Sequence, residues 1–336
     1  MFPFPLLSAR GRAAPPSAPL ALFDDRADAA VDALQARLRN PGVTDVVVNG
    51  SAGLWTDSGF GLRRDTAWQL DEAGVRALAV RLIALGGRHL DEASPCVDAV
   101  LPTGERVHAV LAPVSASGTL LSIRAPSRAW SFDALVATGM PGAFERPLRA
   151  AIAERRSVLV TGAAGSGKST LLGALLGLAP AAERLVLVED VAELRVRHPH
   201  VVALQARQAN VEGAGAIGLD RLVREALRMR PDRLVVGEVR GAEVRDLLVA
   251  LNTGHSGGGT LHANSLADVP ARLEALGALA GLDMPALARQ AGSAIDLVVH
   301  VARTDGARRV TGLARLVAGE RLEIDELAAA DLRSAA

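Results

Sequence analysis

Ser157-Val158-Leu159-Val160-Thr161-Gly162-Ala163-Ala164-Gly165-Ser166-Gly167-Lys168-Ser169-Thr170-Leu171-Leu172-Gly173-Ala174-Leu175-Leu176 reads as a short buried strand, a glycine-rich turn and the start of an apolar helix. Strand, glycines, lysine, hydroxyl and helix in that order form a P-loop in its required context. Its glycines let successive backbone N–H groups turn inward around phosphate oxygens, and the helix N-terminus adds the positive end of its dipole. Lys168 is the single lysine among 37 basic residues. A chain that writes its other positive charges as arginine keeps lysine where a flexible ammonium must reach phosphate. The reading is a nucleoside triphosphate held by residues 162–170 (Gly162, Ala163, Ala164, Gly165, Ser166, Gly167, Lys168, Ser169 and Thr170), with Ser169 offering its hydroxyl to Mg²⁺.

Composition bounds the rest. The 336 residues suggest about two domains. Hydrophobic residues make up 49%, aromatics only 3%, with no tyrosine, so the core must be built from Leu, Val, Ile and Ala. With 37 acidic against 37 basic residues, the broad basic surface of a non-specific nucleic-acid binder is not expected. Cys96 is the single cysteine, which excludes an internal disulfide and a thiolate-rich metal site and points to a reducing compartment. It is expected to be a small buried residue. No apolar run reaches the roughly 18–20 residues that span a bilayer, so a soluble, intracellular chain is expected.

Residues 1–23 read as a disordered lead-in. From 24 to 125 the pattern is a small α/β domain with an antiparallel sheet. It comprises a helix over 24–39, strands over 44–48 and 54–56, a helix over 71–85, and strands over 97–101, 106–111 and 119–123. Ala125-Pro126-Ser127-Arg128 looks like a hinge, opening a linker over 126–145. Beyond it, strands alternate with helices: strands 158–161, 185–188, 201–205, 234–237 and 259–262, and helices from Lys168, over 219–229, 242–251 and 269–280. Such alternation implies a mainly parallel, doubly wound sheet over 146–318, with ligands collecting at the carboxyl ends of its strands. A hairpin around Thr304-Asp305-Gly306 and a polar tail over 319–336 close the chain.

Three polar clusters fall at strand ends. Leu234-Val235-Val236-Gly237 delivers Glu238, Val239 and Arg240, where a carboxylate can hold the Mg²⁺ hydration shell or orient an attacking water. Leu185-Val186-Leu187-Val188 delivers Glu189 and Asp190, with Glu193 three residues on. The third cluster runs Thr253-Gly254-His255-Ser256-Gly257-Gly258-Gly259-Thr260-Leu261-His262-Ala263-Asn264. Two histidines suggest a metal site, but their spacing fits no common zinc pattern. A γ-phosphate sensor is the better reading.

Together these residues resemble the type II/type IV secretion ATPase superfamily, and within it the Flp/Tad pilus and conjugal-transfer-associated branch. The resemblance rests on the P-loop, Val188-Glu189-Asp190-Val191-Ala192-Glu193-Leu194, Asn210-Val211-Glu212-Gly213, Val236-Gly237-Glu238-Val239-Arg240-Gly241, Leu251-Asn252-Thr253-Gly254-His255 and His262-Ala263-Asn264-Ser265. In the first domain it rests on Thr44-Asp45-Val46-Val47-Val48-Asn49-Gly50 and Leu121-Ser122-Ile123-Arg124. It implies a RecA-type P-loop ATPase domain hinged to a variable N-terminal domain, with ATP and Mg²⁺ held between them. It also implies a hexameric ring, and a multi-spanning inner-membrane platform protein as partner at the cytoplasmic face of the membrane. By the same resemblance Glu189 assists Mg²⁺ or water positioning, Glu238 orients or deprotonates the attacking water, and His262 reads the γ-phosphate. Arg106 and Arg124 reach the phosphates, and Arg240 acts across a subunit boundary.

Three departures stand out. One cysteine rules out the four-cysteine zinc module of the pilus-extension branch, the histidine passage is one residue short, and His108 stands where relatives carry asparagine. Two other readings stay open: a nucleic-acid translocase using Arg221, Arg224, Arg228, Arg230 and Arg233, and a nucleotide-dependent scaffold with little hydrolysis.

Overall fold

The computed structural model describes residues 25–40, 42–59, 61–126, 129–207, 214–304 and 307–328. The lead-in over 1–23, Ser127 and Arg128 of the hinge, the Asn210-Val211-Glu212-Gly213 phrase, Asp305, Gly306 and the end of the tail from 329 lie outside the described residues. The chain divides into two compact units, Met1–Ala125 and Pro126–Ala336.

In the first unit, α1 (Asp25–Leu38) precedes β1 (Asp45–Asn49), β2 (Leu54–Asp57) and β3 (Leu62–Asp65). Then follow α2 (Glu72–Leu85), β4 (Cys96–Val100), β5 (Arg106–Val110) and β6 (Leu120–Arg124). The sheet is antiparallel, in the order β3-β2-β1-β6-β5-β4. Period-two alternation gives it two chemically different faces. Val46, Val48, Val107, Ala109, Leu121 and Ile123 are buried with Leu34 of α1 and Val75, Leu78 and Leu82 of α2. The opposite face carries Asp45, Asp98, Arg106, His108, Ser122 and Arg124 around a depression of roughly 230 Å³. The structure differs from the sequence reading in adding β3, whose Leu62-Arg63-Arg64-Asp65 is mostly exposed and has no apolar period. Cys96 is exposed rather than buried, because it opens an edge strand.

The second unit begins with α3 (Phe132–Ala137) and α4 (Gly142–Ala153), which occupy much of the stretch read as a linker. The fully buried Phe132 and Leu148 tie them to the core. Next come β7 (Val158–Gly162), α5 (Lys168–Leu176), β8 (Leu185–Glu189), β9 (Val201–Gln205), α6 (Leu219–Leu227), β10 (Arg233–Val239), α7 (Glu243–Asn252), β11 (Ser256–His262), α8 (Val269–Leu279), α9 (Met284–Ala294), β12 (Leu297–Thr304), β13 (Ala307–Ala318) and β14 (Leu322–Glu326). The sheet order is β14-β13-β12-β7-β11-β10-β8-β9. The six strands from β12 to β9 run parallel, and β13 and β14 add an antiparallel edge.

Each central strand is apolar on both faces, as a sheet covered by helices on both sides requires. Val158, Val160, Leu185, Leu187 and Val299 face α3, α4 and α5, whereas Leu159, Val186, Val188, Leu234 and Val236 face α6 to α9. Part of the stretch read as a polar tail is β14, whose Leu322 is buried in the second of these cores. Strand β11 starts at Ser256, earlier than the expected 259, and takes the glycines of the histidine passage into mid-sheet. A Cβ on Gly258 would lie 1.9 Å from the Val158 carbonyl oxygen, and its φ of +140° disfavours any other residue.

One charge is sealed into this unit. Arg233, 1% exposed, donates from Nε to Glu183 at 2.5 Å and from an Nη to the Ile152 carbonyl at 2.7 Å. Removing one member of a buried pair strands the other, at about 3–5 kcal/mol. Arg233→Ala should therefore lower unfolding free energy by about 3–5 kcal/mol in urea titration, while Arg155→Ala, an exposed partner of the same Glu183, should cost less than about 1 kcal/mol.

Candidate active site

The P-loop starts where β7 ends and closes on the first turn of α5. Gly167 caps that helix with φ +102°, a left-handed conformation that glycine adopts without strain. Gly162 is confined differently: a Cβ there would lie 2.2 Å from the Val301 carbonyl oxygen of β12 and 2.6 Å from Ser166 Oγ. Lys168 is buried, and its ammonium donates to the Ala163 carbonyl at 3.0 Å and meets His262 Nδ1 at 3.3 Å. Ser169 and Thr170 are half-buried.

Parallel pairing brings the other groups here. His262 ends β11 in register with Gly162, and Glu238 lies near the end of the neighbouring β10. His262 Nε2 is 2.7 Å from Glu238 Oε1, off the line of a well-directed hydrogen bond, and Arg240 donates to Glu238 Oε2 at 2.5 Å. Lys168, His262, Glu238 and Arg240 thus form one continuous chain of contacts. Since an ammonium can only donate, His262 Nδ1 accepts and its proton sits on Nε2, facing the carboxylate.

The electrostatics follow from burial and neighbours. Burial, partly offset by Glu238, lowers the Lys168 pKa. Burial and the Lys168 charge lower that of His262, so the ring is neutral near pH 7. For Glu238 burial alone would raise the pKa, but the Arg240 hydrogen bond and the charges of Arg240 and Lys168 outweigh it and hold the carboxyl below its ordinary value. Burial raises the pKa of Glu189. Its Oε1 accepts from the Glu193 and Leu194 backbone N–H groups at 3.0 and 2.8 Å, so it organises the acidic turn that follows β8. Gly237 makes room for it: a Cβ there would lie 2.6 Å from Glu189 Cγ.

Some residues sit elsewhere. His255 precedes β11 and meets the Ala250 carbonyl at 3.3 Å. A strand rise of about 3.3 Å per residue leaves it roughly 23 Å from His262, so the two histidines do not share a site. In the first unit Arg106 and Arg124 are register neighbours on the open face of its sheet. Arg124 Nε pairs with Asp45 at 2.9 Å and Arg106 Nε lies 4.0 Å from Asp98, which His108 also meets at 3.2 Å. Arg240 binds Glu238 of its own chain.

Glu193 of the acidic cluster joins the site, as do His300 and Arg308, which carry no sequence signal strong enough to place them. Glu193 acts electrostatically on both Lys168 and Arg240. His300, buried among the apolar residues that open β12, meets the Thr161 hydroxyl at 2.9 Å just before the P-loop. Arg308 of β13 donates from Nε to the Gly165 carbonyl at 3.0 Å.

A polyphosphate with its cation fits these residues. Among the described residues the buried Ser166 hydroxyl has no hydrogen-bond partner, and the buried Lys168 ammonium faces the same turn. Among the described residues no cluster of His, Cys, Asp and Glu could hold a metal by protein ligands alone, so a cation here would come with the nucleotide.

The neutral state of His262 can be checked by ¹⁵N NMR titration. Its midpoint should lie below 6.5, rise in Lys168→Met, which removes a repelling charge, and fall in Glu238→Gln, which removes an attracting one. A midpoint at or above 6.5 in the wild type would contradict this electrostatic account.

Known proteins place this geometry in a family. The family model described as type II/IV secretion system protein matches residues 28–313. A Mycobacterium tuberculosis protein whose name assigns it to conjugal transfer is 51% identical over 288 residues, covering 82% of this chain and 81% of the relative. The type IV secretion system protein PtlH of Bordetella pertussis is 35% identical over 314 residues, covering 83% and 91%. Among solved structures, the pilus retraction motor PilT with bound ADP superimposes with a TM-score of 0.60 at 20% identity, covering 92% of this chain and 85% of that one. The Legionella pneumophila ATPase DotB gives 0.58 at 20% identity, covering 86% and 80%. The two structural likenesses show the fold: a RecA-type P-loop domain preceded by a smaller α/β domain. The chain belongs to the type II/IV secretion system protein family, as an ATPase of that family.

Proposed function

We propose that this ATPase is a ring-forming motor, a hexamer, that powers a Flp/Tad-type pilus or a related type II/IV secretion or conjugal-transfer machine. The observation that carries the hydrolytic part is the contact chain Lys168–His262–Glu238–Arg240, which gathers an ammonium, a neutral imidazole, a carboxylate and a guanidinium beside the P-loop. The family and the relative named for conjugal transfer support the machine. The charge balance and the scarcity of aromatics disfavour the nucleic-acid translocase. Of the arginines that could be cited for it, Arg221 and Arg224 lie on the exposed side of α6, Arg228 is exposed at its C-cap, and Arg233 is buried.

The P-loop N–H groups and Lys168 bind the polyphosphate, and the Ser169 hydroxyl with the carboxylates of the acidic turn would hold Mg²⁺ and its waters. The cation supplies neutralisation of charge between the β- and γ-phosphates. Glu238 orients the attacking water, with Glu189 fixing the acidic turn beside it. Neutral His262 donates a hydrogen bond to a γ-phosphate oxygen, so loss of that phosphate is felt at the end of β11. Arg106 and Arg124 would leave Asp98 and Asp45 to reach the phosphates. Arg240 would act across a subunit boundary only after releasing Glu238.

No described helix is long and apolar enough to cross a membrane. In this proposal the ring works at the cytoplasmic face, docked on a multi-spanning membrane protein that turns domain motion into assembly. Phosphate release by the purified chain should fall by about 10²-fold or more in Lys168→Ala and in Glu238→Gln, the scale for loss of a group that stabilises a transition state. Turnover surviving both would remove these residues from the mechanism, and native mass measurement with ATP should read six copies.

A further inference from the structure

β13 reaches the P-loop through the side chain of Arg308. Arg308, the second residue of that strand, donates from Nε to the Gly165 carbonyl at 3.0 Å, and its stem lies along the turn, with Cδ 3.2 Å from where a Gly167 Cβ would stand. Arg308 itself is exposed, so the contact is not a by-product of core packing.

We propose that Arg308 is a positioning residue for nucleotide binding, holding the Gly165–Ser166 peptide so that its N–H faces the phosphates. The argument is one of peptide geometry. In a planar trans peptide the carbonyl of one residue and the N–H of the next point in opposite directions. Fixing the Gly165 oxygen outward on Arg308 therefore fixes the Ser166 N–H inward. There it reaches the Ala163 carbonyl at a long 3.3 Å, and the same carbonyl accepts from Lys168 at 3.0 Å. A phosphate oxygen entering the turn would take both donors from that carbonyl. Gly165 has φ +69° and open space where a Cβ would be, so little in the loop's own packing resists rotation of this peptide. A charge-assisted hydrogen bond from outside the loop supplies the restraint. Arginine suits the task because its planar fork loses less freedom per bond than a lysine stem.

The inference rests on the P-loop as the phosphate cradle, and one experiment separates the two. Binding of the fluorescent analogue mant-ADP with Mg²⁺ is measured for the wild type, Arg308→Ala, Arg308→Lys and Arg309→Ala. Arg309 is the adjacent exposed arginine, and its guanidinium lies by Gly139. Steady-state phosphate release is followed in parallel. Arg308→Ala should weaken mant-ADP and raise the KM for ATP in step, on the order of three- to tenfold, with kcat within about twofold. Arg309→Ala should match the wild type, and Arg308→Lys should recover only part of the loss. The proposal is overturned if Arg308→Ala binds as the wild type does, if kcat falls while binding is unchanged, if Arg309→Ala is equally impaired, or if Arg308→Lys recovers full affinity. A wild type that binds no mant-ADP would overturn the cradle reading itself and this inference with it.

Discussion

The second unit is arranged around one buried ammonium. Lys168 stands at the start of α5 with the apolar strands of the sheet behind it, and a charge out of water is costly unless partners surround it. Its partners are a carbonyl of its own turn and an imidazole, both neutral, with the carboxylate of Glu238 one contact further out. That set stabilises the ammonium without cancelling it. A fully paired lysine would have little left for phosphate; this one keeps a charge whose pKa burial already pushes down. An arriving polyphosphate replaces weak partners with strong ones, which is a physical basis for affinity at this turn.

The sheet order explains how those partners arrive. β7, β11 and β10 are neighbours and all run parallel, so their carboxyl ends open on the same edge. Each strand delivers one group there: the P-loop from β7, His262 from β11 and Glu238 from β10. The glycines of β11 are the condition for this. With Gly257, Gly258 and Gly259 the backbone passes against its two neighbours where a Cβ would strike carbonyl oxygens 1.8 to 2.5 Å away. The glycine run is thus structural at one end of the strand and delivers a chemical group at the other.

That double use also explains what could be read in advance. The P-loop, the acidic strand ends and His262 were legible because apolar strands ending in polar residues leave a periodic trace, and so was the alternation that makes the sheet doubly wound. Glycines are poor strand formers, so β11 looked shorter than it is, starting at 259 rather than at Ser256. α3 and α9 were overlooked although their caps stand in the sequence: Ser131 accepts from Ala134 N–H and Asp283 from Ala286 N–H. α3 is short, and both lie near or begin at prolines of the kind that mark connections. β3 has no apolar period at all, because both its faces are largely exposed. Arg308 could not be placed, since in an arginine-rich chain one arginine is not distinguishable and only tertiary contact gives it meaning.

The state of Glu238 bears on how a carboxylate can serve here. A general base works best when its pKa approaches the working pH, yet cationic neighbours hold Glu238 below its ordinary value. In this arrangement it is suited to accept a hydrogen bond from a water and aim it, and poorly suited to take the proton away. Arg240 is the main reason, through a bond of 2.5 Å from a side chain that is half in solvent. Exposure makes that guanidinium the easiest member of the contact chain to draw off. Its departure would leave burial as the dominant influence on the carboxyl and let the pKa climb.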